Sequence, residues 1–109
     1  PVTFSSDCPV CDPSPLLGIH AAVARQRIDG TPAGGWYPTA RVSVQEAVDA
    51  FTSVPAGVLG RSDLGKLSAG ARADLAVLDR DIFSIDPASL HEAQVDMTIF
   101  DGRIVFRDF

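Results

Sequence analysis

The chain has 109 residues, 46% of them hydrophobic, which is enough for one compact domain with its own core. Its formal net charge is -5 and it has no Lys/Arg cluster, which excludes the basic face that DNA, RNA or an anionic membrane requires. No apolar stretch is long enough to cross a bilayer, and Pro1 to Ser6 lacks the features of a signal peptide. With only two cysteines, Cys8 and Cys11, the chain is no disulfide scaffold, so we expect a soluble protein of the reducing cytoplasm.

The N-terminal part predicts one strand followed by one helix. Val2 to Phe4 is a short apolar run that ends in two serines and Asp7, as in a buried parallel strand whose polar end faces a site. Ser14 as the cap and Pro15 in the first turn mark a helix start, and we expect a helix over 15–27. Its apolar face is formed by Leu16, Ile19, His20 and Val23. Because the chain runs into this strand without an initiating Met, we expect it to be cut from a longer protein.

A loop and a second helix come next. Residues 29–40 are rich in glycine and proline, which predicts a long loop. Ser43 and Glu46 then form a capping box, in which the hydroxyl and the carboxylate satisfy free backbone N–H groups. The apolar residues after it recur at helical spacing, so we expect a helix over 44–52.

The remainder of the chain predicts a change from helices to strands. Pro55 is expected to end or kink the second helix, before a short helical turn over 55–59. Asp101-Gly102 is a strong hairpin signal, because the tight turn that matches strand twist requires positive φ. The expected strands lie at 64–67, 74–79, 95–100 and 103–106. We therefore predict two parts, a strand with helices over 1–60 and a small antiparallel β unit over 61–109.

Two stretches of the chain resemble the end of an amidohydrolase, and specifically the branch called amidohydrolase family 3. The first comprises Ser6-Asp7-Cys8-Pro9-Val10, Asp12-Pro13, Leu17-Gly18, Gly35-Trp36-Tyr37-Pro38 and Arg41-Val42-Ser43. The second, which is the more specific, comprises Thr52 to Gly60, Leu64-Gly65-Lys66-Leu67, Gly70 and Ala73 to Asp79. The closing segment Met97 to Phe106 is similar to the last hairpin of these enzymes. Together the stretches cover nearly the whole chain.

The resemblance implies an α/β fragment of a larger parent enzyme. In such a parent, a (β/α)8 barrel lies beside a composite β-sandwich that is assembled from both ends of the chain. This chain would supply the last barrel strand with its helices, followed by the C-terminal share of the sandwich. Barrel active sites lie at the C-terminal ends of the strands, which is where Asp7 is expected.

The resemblance gives Asp7 two roles, as a metal ligand and as the catalytic acid–base residue. The parent would hydrolyse carbon–nitrogen bonds of small amide or N-acyl compounds with water activated by a divalent metal, for which zinc is the expected ion. The histidine ligands of the family precede the last strand, so we expect the isolated chain to be inactive and to bind no metal tightly. The alternative is that Asp7 only caps the turn at 8–11.

Two other functions compete with the hydrolase. Cys8 and Cys11 form a C-x-x-C motif between a strand and a helix, as in a small thiol redox protein, but we expect them instead to be small buried side chains. The second is a non-catalytic interaction module. Its β unit would expose an edge that could pair with another copy of the chain and form a homo-oligomer.

The remaining candidate side chains receive structural interpretations. His20 lies on the apolar face of the first helix and is expected in the core, whereas His91 is expected at the surface. Neither matches a metal ligand of the family. Trp36 and Tyr37 lie on the glycine-rich loop, and they either pack that loop onto the barrel or border the substrate entrance of the parent.

Overall fold

The computed structural model describes all 109 residues, with helices in the first half of the chain and strands in the second. The α-helices are α1 (Pro15–Ala24), α2 (Val44–Phe51) and α3 (Ser53–Val58). The strands are β1 (Leu75–Leu78), β2 (Val95–Phe100) and β3 (Arg103–Arg107). Short 3-10 helices lie at Pro38–Ala40 and Pro87–Glu92. None of the helices has the length and apolar character needed to cross a membrane.

Helix α2 starts at the predicted capping box, which is confirmed. The Glu46 backbone N–H donates to Ser43 Oγ at 3.2 Å, and the Ser43 backbone N–H donates to Glu46 Oε2 at 2.8 Å. The bonds from Ser43 lower the pKa of Glu46, because they favour its charged form. The helix stops at Phe51, one residue before the predicted end, and α3 begins immediately after Thr52.

Helix α1 is shorter than predicted. It starts at Pro15 as expected, with Ser14 in the cap position but without a hydrogen bond from the Ser14 side chain. It ends at Ala24 because Arg25 adopts the left-handed conformation, with φ of 56°, and its backbone N–H bonds to Ala21 C=O. A left-handed residue at this point closes a helix and redirects the chain into the loop.

Two predicted strands, Val2–Phe4 and 64–67, do not form within this chain. Val2–Phe4 pairs with no strand, because a parallel strand needs neighbours and this chain holds only three strands, all of them antiparallel. In the second segment Gly65 has φ of 70°, which an extended strand does not allow. A Cβ on Gly65 would lie 2.6 Å from the backbone oxygen of Thr52, so the segment packs closely against the start of α3 instead.

The three strands form one antiparallel sheet in the order β1-β2-β3. Asp101 and Gly102 connect β2 to β3 with φ values of 49° and 77°, so the predicted hairpin is confirmed. The Asp101 backbone N–H donates to Asp74 Oδ1 at 2.7 Å, which ties this turn to the residue before β1. The small antiparallel β unit is thus present, with β3 at one edge.

The core lies between α1 and the 3-10 helix Pro87–Glu92. Its buried hydrophobic residues are Leu16, Ile19, Val23, Ala47, Ile82, Leu90 and Ala93. Leu90 is fully buried, and His20 is the one buried polar side chain, with its Nδ1 3.2 Å from Pro87 C=O. This core joins the helical part to the segment between β1 and β2.

The burial of Leu90 gives a direct test of this core. Leu90→Ala should lower the free energy of unfolding by about 2–5 kcal/mol, because it leaves a cavity where the side chain is fully enclosed. Urea unfolding followed by circular dichroism measures the loss. Leu67→Ala is the matched control, since Leu67 is 87% exposed and should change little. An equal loss of stability in the two variants would contradict the burial of Leu90 in this core.

Asp79 gives a test based on pH. Its carboxylate is bound by the Arg80 guanidinium at 2.7 Å and by the Gln94 backbone N–H at 2.8 Å, which lowers the pKa of Asp79 from its ordinary value of 3.8. A carboxylate whose pKa falls on folding stabilises the native state above its ordinary pKa and loses that effect as pH falls through the folded value.

We therefore expect Asp79→Asn to be less stable than the parent chain near neutral pH and to lose less stability between about pH 5 and pH 3. Urea unfolding at a series of pH values measures both effects. Asp108→Asn is the control, since Asp108 is exposed and forms no ion pair. If the free energy of unfolding of Asp79→Asn and of the unmodified chain changed with pH in parallel, the lowered pKa of Asp79 would be contradicted.

Candidate functional site

Asp7 lies at the end of an N-terminal segment that is anchored to helix α2. The Phe4 backbone N–H donates to Ala50 C=O at 3.0 Å. The Phe4 ring packs edge-on against Phe51, with 5.7 Å between ring centroids. Beyond this anchor, the Asp7 backbone N–H donates to Ser5 Oγ at 3.2 Å. The apolar contacts therefore fix the segment three residues before Asp7.

The backbone of Asp7, and not its side chain, closes the following turn. Asp7 has φ of 51°, a left-handed conformation that aspartate tolerates better than most residues, and its C=O accepts the Val10 N–H at 2.8 Å. The Asp7 side chain is exposed and has no cationic partner within 4.0 Å. Its carboxylate therefore remains accessible to a ligand, and the predicted capping role has no hydrogen bond to support it.

The residues of this chain do not form a metal centre by themselves. No group of three or more His, Cys, Asp or Glu side chains lies close enough together to hold a metal ion. A catalytic zinc ion usually takes three protein ligands and one water. Asp7 alone cannot meet that requirement, so its predicted role as a metal ligand and acid–base residue stays a prediction.

Cys8 and Cys11 lie directly after Asp7. Both are free and both are exposed, so the expectation that they are small buried side chains is wrong. The reason is that the anchor of this segment ends at Phe4, and no element of the chain covers the turn that follows. The two thiols are thus open to solvent beside the Asp7 carboxylate.

The two histidines come together in the core, away from Asp7. His20 is buried, as predicted, and its ring packs edge-on against the ring of His91 with 4.8 Å between centroids. The surface position predicted for His91 is wrong, since the residue is only partly exposed and its Nδ1 is buried. The sequence holds no local signal for this pair, because the two residues meet only when α1 packs against the 3-10 helix Pro87–Glu92.

Trp36 and Tyr37 stay at the surface on their loop. They are 61% and 65% exposed, and their rings contact each other edge-on at 4.8 Å. Arg25 lies over the Trp36 ring, with 5.3 Å from its Cζ to the ring centroid. Within this chain, the loop is therefore held by contacts among its own residues and with the end of α1.

Comparison with known proteins identifies relatives that match most of this chain. A family model described as "Amidohydrolase family" matches residues 1–106. A protein of Bacillus subtilis strain 168 named "Putative amidohydrolase YtcJ" is 35% identical over 102 residues, which are 93% of this chain and 19% of that protein. The N-substituted formamide deformylase of Arthrobacter pascens is 39% identical over 102 residues, which are 93% of this chain and 18% of that protein.

A third relative is more distant. The 5-methylthioadenosine/S-adenosylhomocysteine deaminase of Symbiobacterium thermophilum is 33% identical over 97 residues, which are 80% of this chain and 21% of that protein. The chain therefore spans about a fifth of the length of the relatives it matches. No solved structure shows a significant match.

The exposure of the two cysteines predicts their reactivity. Both thiols should react with Ellman's reagent in the native chain, giving two equivalents of released thiolate without denaturant, because both side chains are open to solvent. Cys8→Ser and Cys11→Ser should each release one equivalent. Reaction only after addition of urea would show that this turn is covered, which would contradict the exposure of both thiols.

Proposed function

This chain belongs to the amidohydrolase family, and on that premise we propose that it is the C-terminal part of a metal-dependent hydrolase that cleaves carbon–nitrogen bonds in small molecules. The named relatives include a deformylase and a deaminase, both of which act on such bonds. None of them is a thiol redox protein, so they do not favour the C-x-x-C alternative. In the proposed parent this chain supplies the last barrel strand, its helices and the C-terminal share of a composite sandwich.

The hydrolase proposal rests on the family match over residues 1–106, and the observation that supports a larger parent protein is the uncovered apolar surface of β3. Ile104, Val105 and Phe106 are consecutive residues with exposures of 52%, 61% and 47%. Successive residues of a strand point to opposite faces of the sheet, so both faces of β3 lack a covering layer. Its outer edge also lacks a partner strand. An apolar strand left open on two faces and one edge is expected where further elements of a larger protein pack.

The rest of the chain supports the same conclusion. Only 11 of 109 residues are buried, although 46% of the residues are hydrophobic. The radius of gyration is 14.6 Å, whereas a compact domain of this length has a value of about 13 Å. Much of the apolar content is therefore available for contact with elements outside this chain.

Asp7 is the residue that we propose for the active site. It follows a segment that would become the last parallel strand once neighbouring strands are present, and barrel enzymes place their catalytic residues at such strand ends. Its exposed carboxylate is not engaged in the turn that follows, and it can take the proton that an attacking water releases. The left-handed backbone of Asp7 is consistent with a functional position.

A divalent cation, zinc in this proposal, would bind only in the complete protein. Asp7 would contribute one carboxylate ligand, and the remaining ligands would come from residues that this chain does not contain. The substrate class is a small amide, cyclic amide or N-acyl compound.

Asp7→Asn in the complete gene product should lower kcat by about a hundredfold or more, because an amide can neither accept the proton nor bind a metal as an anionic ligand. Hydrolysis of a panel of N-formyl and N-acyl amines measures kcat, and elemental analysis measures the metal content. The expected pattern is loss of activity together with weaker metal retention.

Asp12→Asn is the matched control for this experiment. Asp12 is a second exposed carboxylate on the same segment, and its Oδ1 only accepts the Ser14 backbone N–H at 2.8 Å. Its substitution should leave kcat within about twofold of the unmodified protein, since a surface contact of this kind contributes little. If Asp7→Asn retained full activity while the complete protein was active, Asp7 would not be the catalytic residue.

The isolated chain should hydrolyse none of these compounds, with or without added zinc, because it brings only one carboxylate to the proposed site. Product formation above the buffer rate is measured by chromatography. Turnover by the purified chain would contradict the division of the site between this chain and the rest of the protein.

A further inference from the structure

An open cleft lies at the C-terminal end of α1, where the glycine-rich loop returns to the helix. Its volume is about 570 Å³, and its lining includes Arg25, Arg27, Thr31 and Trp36. This volume lies within the range of small-molecule sites. The segment that carries Asp7 leads into the other end of α1, and this helix of 10 residues is about 15 Å long. The cleft is therefore separate from the proposed catalytic residue.

Hydrogen bonds fix the walls of this cleft. The Arg27 backbone N–H donates to Thr31 C=O and the Trp36 backbone N–H donates to Arg25 C=O, both at 2.8 Å. The Gln26 side chain donates to the backbone oxygens of Gly30 and Pro32 at 2.9 and 3.1 Å. The loop is thus held to the end of α1 by backbone bonds and by the side-chain amide of Gln26, so the cleft exists before any ligand binds.

The charges around the cleft favour an anion. Arg25, Arg27 and Arg41 lie on this segment, and none of them has a carboxylate within 4.0 Å. Arg41 instead donates to Gly34 C=O at 2.7 Å. The one acid of this segment, Asp29, accepts the Thr31 hydroxyl at 2.6 Å and the Thr31 backbone N–H at 2.9 Å, and these bonds, together with the charge of Arg27, lower its pKa. Three arginines and one carboxylate thus give residues 25–41 a net positive charge, in a chain whose net charge is -5.

Trp36 holds one of these cations in place. The Arg25 guanidinium lies over the Trp36 ring at 5.3 Å, and its Nε donates to Trp36 C=O at 3.1 Å. These two contacts fix the plane of the guanidinium and leave its terminal N–H groups for a ligand. A planar guanidinium with fixed orientation is well suited to bind the two oxygens of a carboxylate or phosphate.

We propose that this cleft binds the oxyanion of a small molecule, a carboxylate or a phosphate group, through the guanidinium groups of Arg25 and Arg27. Arg25 is oriented by Trp36, whereas Arg27 is exposed and contributes the second cation to the lining of the cleft. The site goes beyond the proposed hydrolase function and does not depend on it.

Trp36 is the only tryptophan of the chain, so its fluorescence reports on this cleft alone. The purified chain is titrated with sodium phosphate and, separately, with sodium benzoate, while sodium chloride keeps the ionic strength constant. We expect a saturable change in fluorescence with at least one of the two anions. Tighter binding of phosphate or of benzoate identifies which oxyanion the cleft prefers.

Arg27→Gln tests the assignment, because Arg27 does not contact the reporting ring. It should weaken binding about tenfold, since a hydrogen bond to a charged group is lost. Arg103→Gln is the control, as Arg103 is an exposed, unpaired arginine on β3 and should leave the affinity unchanged. Circular dichroism checks that both variants fold.

Two results would overturn the proposal. One is a fluorescence change that rises linearly with the concentration of each anion, without saturation, and equals the change produced by sodium chloride at the same ionic strength. The other is an unchanged affinity in Arg27→Gln. Neither result bears on hydrolysis, so the site and the proposed function are tested separately.

Discussion

The contact between α1 and the 3-10 helix Pro87–Glu92 determines how this chain is arranged. Leu90 is fully buried there, and Nδ1 of His20 forms a hydrogen bond with the backbone oxygen of Pro87. This contact joins residues from opposite ends of the chain and gives the helical part and the sheet a common core. The N-terminal segment depends on it indirectly, because it is attached to α2, and α2 packs against α1.

The features predicted correctly from sequence are those decided by neighbouring residues. The capping box of Ser43 and Glu46 forms because both partners lie within one helical turn. The hairpin at Asp101 and Gly102 forms because these residues accept positive φ at low cost. The resemblance to the amidohydrolases is confirmed by the family match over residues 1–106, whereas the catalytic role that it implies for Asp7 stays a prediction.

The features that sequence could not predict depend on distant partners. Val2–Phe4 has the composition of a strand but lacks neighbours to pair with. The segment 64–67 does not form a strand, because Gly65 packs closely against the backbone of Thr52. The exposure of Cys8 and the contact between His20 and His91 both depend on how distant elements pack against each other. The residues next to each of them in the sequence do not determine this packing.

The central claim is that Asp7 acts together with histidines that the rest of a longer protein provides. The uncovered faces of β3 and the small buried core support the existence of that longer protein, and the role of Asp7 in it rests on the proposed function. The most direct measurement is the sequence of the gene ahead of the codon for Pro1. Our account predicts an upstream His-x-His motif after a strand, with further histidines at the ends of later strands. A reading frame that starts at or near Pro1, with no such strands before it, would contradict the account.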